Sequence, residues 1–281
     1  ALEEEGLAEQ TIKRLKLQCQ QKDLSDWEEM VEKSKIVNKK AEVALVGKYT
    51  ELHDAYISVV EALKHACIYH HSELHINWID SDEITEKNAG SILKNMDGIL
   101  IPGGFGVRGT EGKINAARYA RENKIPFLGL CLGMQIAIVE FARHVCGMTD
   151  ANSIEMNPNT QYPVIDFLPG QSEYSMLGGT LRLGKYPCKV LPETKAFEAY
   201  KEEVIYERHR HRYEVNNEYR DILREKGMIF CGTSPNNSVV EMIELENHPW
   251  YVACQFHPEF KSRPNRPHPL FLGFINAAVT K

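Results

Sequence analysis

The chain has 281 residues, a formal net charge of −6 and a pI near 6.0. This acidic balance, with no apolar stretch near the roughly 20 residues of a membrane span, excludes nucleic acid and membranes as expected partners. The seven cysteines are scattered and form no C-x-x-C, which argues against a disulfide framework or a zinc ribbon and for a reducing, cytoplasmic location.

Residues 1–40 are charged throughout and differ from the rest of the chain. Ser25 suits the start of a helix because its side chain can cap the first turn, and Trp27 and Met30 follow at helical spacing. We predict an interdomain linker with one docking helix over residues 1–40, and a single domain over residues 41–281.

From Val43 the chain alternates short apolar runs with amphipathic stretches, which predicts a parallel sheet with helices on both faces. Reactive groups are expected at the carboxyl ends of its strands. The predicted strands are 43–47, 74–79, 98–102 and 127–130, and the predicted helices are 52–66, one closing at 92–96, 110–123 and one directly after residue 131.

Beyond about Ser153 the pattern changes to proline, glycine and short alternating runs. We predict a smaller antiparallel extension that partly rejoins the main sheet. Its predicted strands are 180–183, 204–215, 228–232, 239–245 and 251–255, and a closing helix is predicted over 267–278.

Cys131 lies between Gly129 and Gly133, where the fourth predicted strand meets a predicted helix. This G-x-C-x-G has the spacing of a nucleophile elbow, with Cys in place of Ser. The glycines permit a tight turn whose central residue is strained and exposed at the sheet end. A helix N-terminus favours thiolate over thiol. The alternative is a buried, inert cysteine, but the flanking glycines favour the nucleophile.

A thiolate that attacks a carbonyl needs a base, a group that orients the base, and an oxyanion hole. His257 ends a predicted strand, and Glu259, beyond a rigid proline, can reach back and fix the tautomer of its ring. Candidate oxyanion donors are the N–H groups of Leu132 and of the turn at residues 103–104. Taken alone, His257 has a structural or simply exposed histidine as its alternative.

Two glycine patterns resemble nucleotide-binding motifs but lack the required context. Residues 104–109 fit G-x-G-x-x-G, yet they follow the third predicted strand instead of opening the first βαβ unit. Residues 179–185 fit G-x-x-x-x-G-K, but Tyr186 stands where a P-loop needs Ser or Thr. Neither pattern predicts a nucleotide site.

Three motifs in order resemble the class I glutamine amidotransferases: Pro102-Gly-Gly104, Gly129-Leu-Cys131-Leu-Gly133-Met-Gln135 and His257-Pro-Glu259. Within that class, the stretches 102–112, 208–214 and 256–264 resemble the CTP synthase family closely. The likeness covers about residues 41–281, and residues 1–40 resemble the tether that joins the two domains of that family. The resemblance implies a flavodoxin-like sheet and hydrolysis of glutamine by a Cys-His-Glu triad.

The resemblance also assigns roles by position. It implies that Cys131 is the nucleophile, His257 the base and acid, and Glu259 the orienter of His257. It makes Gly104 and Leu132 the oxyanion-hole donors. The residues it places at the bound glutamine are Gly104, Leu132, Gly133, Met134, Gln135, Glu155 and Arg212.

Glu155 and Arg212 are assigned only by this resemblance, as partners of the substrate ammonium and carboxylate respectively. In an alternating strand, Arg208, Arg210 and Arg212 would share one face. From that pattern alone a solvated basic edge is the favoured reading, and Glu155 reads as a surface loop carboxylate.

The resemblance implies no cofactor and no metal in this domain. It places ATP, Mg²⁺ and UTP in a synthetase domain of the same polypeptide, outside this sequence. It implies GTP as an allosteric activator, acting through a lid at about residues 178–184, and a homotetramer for the full-length enzyme. Two alternatives remain: a cysteine peptidase or deglycase on the same fold, and a catalytically silent regulatory module.

Overall fold

The structure is a computed structural model and describes residues 2, 4–19, 23–167 and 182–280. Its strands are β1 Lys39–Gly47, β2 Ser72–Asp80, β3 Gly98–Ile101, β4 Phe127–Leu130, β5 Asn152–Ser153, β6 Pro163–Phe167, β7 Arg182–Val190, β8 Val204–His211, β9 Tyr213–Val215, β10 Met228–Thr233, β11 Val240–Leu245 and β12 Tyr251–Cys254. Its helices are α1 Leu7–Leu15, α2 Ser25–Lys35, α3 Ile57–Tyr69, α4 Ala89–Leu93, α5 Thr110–Glu122, α6 Leu132–His144, α7 Lys195–Tyr200, α8 Arg220–Glu225 and α9 Pro269–Val279.

A nine-stranded sheet in the order β2-β1-β3-β4-β12-β11-β10-β7-β8 forms the centre of the fold. The pairs from β2 through β12 are parallel, whereas β12-β11, β11-β10, β10-β7 and β7-β8 are antiparallel. A second sheet, β5-β6-β9, has three strands. The predicted fold class, a mostly parallel sheet with an antiparallel extension that rejoins it, is confirmed.

The parallel strands β3, β4 and β12 at the centre of the sheet are buried at every position, which explains why they are almost wholly apolar. Side chains alternate between the faces along β1, so Val46 joins one core cluster and Leu45 the other. The first cluster contains residues of α5 and α6, such as Ile136. The second contains residues of α3 and α9, such as Leu63 and Phe274.

Two predictions about secondary structure are wrong. The run 204–215 was predicted as one strand, but it divides into β8 and β9 at a bend on Arg212. One docking helix was predicted in residues 1–40, whereas the described residues of this range form two helices, α1 and α2, and neither helix buries a residue. The predicted boundary at residue 41 stays a prediction.

The predicted lid at 178–184 lies outside the described residues up to position 181, and β7 begins at Arg182. In the part of the chain that the structure describes, no helix is both long and apolar enough to cross a membrane.

Candidate active site

The turn between β4 and α6 holds Cys131 in an unusual backbone conformation, with φ 50° and ψ −99°. Such a conformation is rare and strained for a residue with a side chain, and it persists where surrounding contacts enforce it. Here the Cys131 N–H donates to the carbonyl of Cys254 at 2.7 Å. The predicted strain is present, but the predicted exposure is wrong, because Cys131 is only 6% exposed.

The glycines on either side of Cys131 are required by close backbone contacts. A Cβ at Gly129 would lie 2.7 Å from the carbonyl carbon of Gly133. A Cβ at Gly133 would lie 2.3 Å from the carbonyl oxygen of Ile101, on the neighbouring strand β3. Both distances are shorter than any carbon side chain tolerates, so the G-x-C-x-G spacing follows from how the turn packs on the sheet.

His257 follows β12, the strand beside β4, and its ring pairs with a carboxylate. His257 Nδ1 lies 2.8 Å from Glu259 Oε1, and Glu259 is buried in a one-turn helix over Pro258–Phe260. The backbone N–H of His257 donates to the Arg208 carbonyl at 2.8 Å, which fixes the start of this turn. The carboxylate thus holds the ring in one orientation, as predicted from the spacing.

Cys131 and His257 are close neighbours, and Cys131 is one of the groups that raise the pKa of the His257 ring. Because Nδ1 of His257 faces Glu259, the other ring nitrogen, Nε2, is the one that can exchange a proton with Cys131. Burial opposes the charged ring, but the bonds to Cys131 and Glu259 outweigh it and raise the pKa of His257 to about 10. Gly103 covers the pair: a Cβ there would lie 2.9 Å from His257 Cε1 and 3.7 Å from Cys131 Cβ.

Gly104 and Leu132, the residues predicted to supply the oxyanion donors, are neighbours in the fold. Leu132 is the first residue of α6, so its N–H belongs to the helix terminus. A Cβ at Gly104 would lie 3.3 Å from Leu132 Cδ2. The loop that follows β3 therefore reaches the start of α6 beside Cys131.

Glu155 also meets this loop, because the Gly106 N–H donates to Glu155 Oε1 at 2.9 Å. Arg212 lies at the bend between β8 and β9 and is half-buried. It does not share a strand face with Arg208 and Arg210, which are exposed on β8. The solvated basic edge is therefore the right reading of those two arginines, and the bend sets Arg212 apart.

The remaining residues predicted at the glutamine face inward. Met134 packs its side chain in the hydrophobic core, so only its backbone is left to line a pocket. Gln135 is 4% exposed and donates from Nε2 to the Tyr213 carbonyl and to Gln255 Oε1, each at 3.2 Å. Gln255 in turn donates to Cys131 Sγ at 3.5 Å. Sequence reasoning missed Gln255, although it stands two residues before His257.

A second polar group missed from the sequence is a set of buried ionisable side chains, here called the Arg182 cluster. Arg182 contacts Glu241 at 2.5 Å and Glu214 at 3.6 Å. The members of the cluster are Arg182, His209, His211, Glu214 and Glu241.

The histidines of the Arg182 cluster are held neutral. Burial, together with the charge of Arg182, lowers the pKa of His209 to about 2 and that of His211 to about 3. The two rings share a hydrogen bond of 2.8 Å. Burial and the nearby Glu241 raise the pKa of Glu214 well above its ordinary value. The histidines of the cluster therefore stay neutral over the ordinary pH range.

Cavities do not by themselves locate this site. One cavity of about 880 Å³ lies between β7, β10 and α8 and is lined by none of the predicted site residues. A smaller one of about 290 Å³ reaches His257, Glu259 and Gly103 from the start of α3. We place the site by the side-chain geometry, because the chemistry depends on the paired groups and not on cavity size.

The comparison with known proteins agrees with this geometry. A model of the family described as glutamine amidotransferase class-I matches residues 51–277. The chain belongs to this family. The matched range contains the elbow, the His257–Glu259 pair, Glu155 and Arg212.

The curated relatives of this amidotransferase include CTP synthases of known organisms. The CTP synthase of Moorella thermoacetica is 60% identical over 280 residues, which are 100% of this chain and 52% of that protein. The CTP synthase of Caldanaerobacter subterraneus subsp. tengcongensis is 59% identical over 278 residues, 99% of this chain and 52% of that protein. The chain spans about half the length of these curated relatives.

A solved structure of similar fold is the glutaminase domain of Trypanosoma brucei CTPS with bound acivicin. It superposes with a TM-score of 0.81 at 37% identity, over 86% of this chain and 94% of that one. The resemblance of this amidotransferase to the glutaminase domain of the CTP synthase family is therefore confirmed.

Proposed function

We propose that this glutaminase domain hydrolyses L-glutamine to glutamate and ammonia through Cys131, His257 and Glu259. The observation that carries the proposal is the arrangement in which Glu259 holds His257 at 2.8 Å while His257 and Cys131 lie against the same residue, Gly103. A nucleophile, its base and an orienter in this relation are the minimum for covalent catalysis at an amide.

In the first half of the reaction, the Cys131 thiolate attacks the side-chain amide carbon of glutamine. The carbonyl oxygen gains negative charge and is stabilised by the N–H groups of Gly104 and Leu132. The C–N bond then breaks as the protonated His257 ring gives its proton to the leaving nitrogen. Ammonia leaves, and a glutamyl thioester remains on the sulfur.

In the second half, a water molecule attacks the thioester carbon while neutral His257 accepts its proton. The C–S bond breaks, glutamate leaves, and Cys131 returns as a thiolate beside a protonated His257. The raised pKa of His257, about 10, supports this cycle, because the ring begins each round carrying the proton that the leaving group needs.

Recognition of the substrate follows from opposite charges at its α-carbon. We assign the α-ammonium group to Glu155 and the α-carboxylate to Arg212. Glu155 is fixed toward the loop after β3 by its bond with the Gly106 N–H at 2.9 Å. Arg212 stands at a bend next to Tyr213, whose carbonyl contacts Gln135. Both residues are thus tied to elements that also position Cys131.

We further infer that the ammonia is used for ATP-dependent amination of UTP to CTP in a synthetase domain beyond these 281 residues. The support is that the chain covers 52% of each CTP synthase relative. ATP, Mg²⁺ and UTP would bind in that domain, GTP would act as activator, and the whole enzyme would be a homotetramer.

The glutaminase proposal is tested by labelling the chain with an electrophilic glutamine analogue and mapping the adduct by mass spectrometry. We expect modification of Cys131 before any other cysteine, and protection by free glutamine but not by peptides. An adduct mainly on Cys19, Cys67 or Cys254 would refute the nucleophile, and turnover of peptides instead of glutamine would favour a peptidase.

The location of CTP synthesis has its own test. The purified chain is incubated with UTP, ATP, Mg²⁺ and either glutamine or ammonium, and CTP is measured by chromatography. We expect no CTP above the no-enzyme control with either nitrogen source. Weak glutaminase activity of the chain would not contradict the proposed function. If an oxyanion donor is out of place without the synthetase domain, that loss alone reduces the rate by about 10²–10³.

A further inference from the structure

We propose that Gln255 is a positioning residue that holds the Cys131 sulfur as a thiolate through its side-chain N–H. The proposal extends the glutaminase function above and depends on Cys131 being the nucleophile. Its basis is a chain of buried amide contacts that ends on the sulfur and that no catalytic step described above uses.

The first link of this chain fixes the direction of all the others. Gln135 Nε2 lies 3.2 Å from the Tyr213 carbonyl oxygen. A backbone carbonyl can only accept a hydrogen bond, so the NH₂ end of Gln135 must face Tyr213. The same NH₂ group lies 3.2 Å from Gln255 Oε1, which accepts its second proton.

This arrangement leaves the NH₂ group of Gln255 facing the thiol. Gln255 Nε2 lies 3.5 Å from Cys131 Sγ, a normal distance for an N–H donor to sulfur. An NH₂ group is a donor only, so it favours the sulfur as an acceptor, which a thiolate is more strongly than a thiol. Turning the Gln255 amide over would place its oxygen against the sulfur and its NH₂ against the NH₂ of Gln135.

The backbone keeps Gln255 in this place. Gln255 is fully buried, and its N–H donates to the Glu241 carbonyl at 2.8 Å. It directly follows β12, whose last residue, Cys254, accepts the N–H of Cys131. The donor and the sulfur are therefore mounted on neighbouring, hydrogen-bonded segments, and little movement is needed to keep the contact through the reaction.

Gln255 and His257 approach the sulfur from the same strand end but act differently. His257 supplies a proton that can be transferred, whereas the amide of Gln255 does not ionise. The amide can thus stabilise negative charge on sulfur both before attack and when sulfur is expelled from the thioester, and it cannot protonate the nucleophile. Its loss should lower kcat and leave KM nearly unchanged.

The test measures the pH dependence of Cys131 alkylation by iodoacetamide, with each adduct mapped so that exposed Cys19 does not contribute. Gln255→Met removes the donor and keeps the length of the side chain. We expect the midpoint of the pH profile to move upward by about 1 pH unit, as the loss of one hydrogen bond to a charged group predicts. Gln255→Glu should move it further in the same direction.

The matched control is Asn77→Leu, which also replaces an amide donor by an apolar side chain. Asn77 lies on the edge strand β2, three strands away from β4, and its side chain donates to Glu42 on β1. We expect an unchanged alkylation profile for this variant. A midpoint for folded Gln255→Met that matches the parent would overturn the proposal, even if the glutamine analogue labels Cys131.

A measurement on the unaltered chain covers the case in which Gln255 variants do not fold. The side-chain amide resonances of Gln255 in ¹H–¹⁵N NMR spectra should shift when Cys131 is alkylated, while those of Asn77 stay in place. Unmoved Gln255 resonances would refute the contact. Failure of the glutaminase proposal would appear separately, as labelling of another cysteine by the glutamine analogue.

Discussion

Two groups of histidine and glutamate lie near the same end of the sheet and hold protons in opposite ways. In the candidate active site, His257 is 2.8 Å from Glu259 and its pKa is raised to about 10. In the Arg182 cluster, His209 and His211 lie 3.6 and 3.4 Å from glutamates, yet burial lowers their pKa values to about 2 and about 3.

The pKa values differ because each histidine–glutamate pair has a different third neighbour, Cys131 in the active site and Arg182 in the cluster. Cys131 can carry negative charge and therefore favours a protonated ring at His257. Arg182 carries a permanent positive charge, which reinforces burial in keeping His209 and His211 neutral. A histidine beside a glutamate is thus an insufficient sign of catalysis, and the charge of the next neighbour decides whether the pair can transfer a proton.

The largest effect should come from removing that third neighbour in the active site. We expect Cys131→Ala to abolish glutamine hydrolysis, because no other group can form the thioester. The melting temperature should stay close to that of the parent, since alanine keeps the Cβ and the backbone contacts of the turn and removes only the sulfur. Residual turnover near the parent value, measured by ammonia release, would show that a different residue is the nucleophile.

Substrate capture should be affected next. Arg212→Ala and Glu155→Ala each leave one charged end of glutamine without a partner, and kcat/KM should fall by about 2–5 kcal/mol in transition-state energy. The matched control is Arg210→Ala, whose side chain is exposed on β8. Equal specificity constants for Arg212→Ala, Glu155→Ala and the parent would show that the substrate charges are held elsewhere.

The Arg182 cluster should matter for stability more than for proton transfer. Glu241→Gln breaks the buried contact with Arg182 and should lower the free energy of unfolding by about 3 kcal/mol, measured by urea denaturation. Glu86→Gln removes an exposed ion pair with Arg118 and should cost less than about 1 kcal/mol. Similar losses in both variants would remove the distinction between buried and exposed pairs.

A smaller effect on activity is expected at the orienter. Glu259→Gln keeps the size of the side chain and loses the charge that favours the protonated ring. We expect kcat to fall while measurable glutaminase activity remains, since orienters contribute less than nucleophiles. Complete loss in a variant that melts like the parent would contradict this ranking and make Glu259 as essential as Cys131.

The smallest expected effect is a change in the protonation of His257 with pH. Folding raises the pKa of His257 from 6.5 to about 10, so the bound proton stabilises the fold fully below about pH 6.5, and this stabilisation disappears as the pH rises through 10. In ¹⁵N NMR the His257 ring should stay protonated at pH 8 in the parent and become neutral at lower pH in Cys131→Ala. If the pKa of His257 is the same with and without Cys131, the third neighbour does not explain the difference between the two groups.

Sequence alone predicted the parallel half of the sheet because most of its strands contain a short apolar run, and β1, β3 and β4 alternate with amphipathic stretches that form helices. It located Cys131, His257 and Glu259 because the elbow and the strand end are local signals. The bend at Arg212 could not be predicted, since β8 is continued by β9 without a turn residue. Only the packing of the second sheet, β5-β6-β9, separates the two strands.

The Arg182 cluster and Gln255 lay beyond sequence reasoning for another reason. Arg182, His209 and Glu241 come from β7, β8 and β11, which meet only after the antiparallel half has formed. Their proximity depends on strand order, which no short-range pattern encodes. Gln255 stood within a recognised motif, but its role depends on a contact with Cys131, 124 positions away.

The backbone at Cys131 also bears on how this chain would change over generations. A side chain at φ 50° and ψ −99° costs on the order of 1–3 kcal/mol, and glycine avoids most of that strain. Selection for chemistry must therefore act continuously against a more stable substitution at this one position. In a lineage that no longer needed ammonia, glycine would be the favoured replacement at 131, and the fold would become more stable as the activity disappeared.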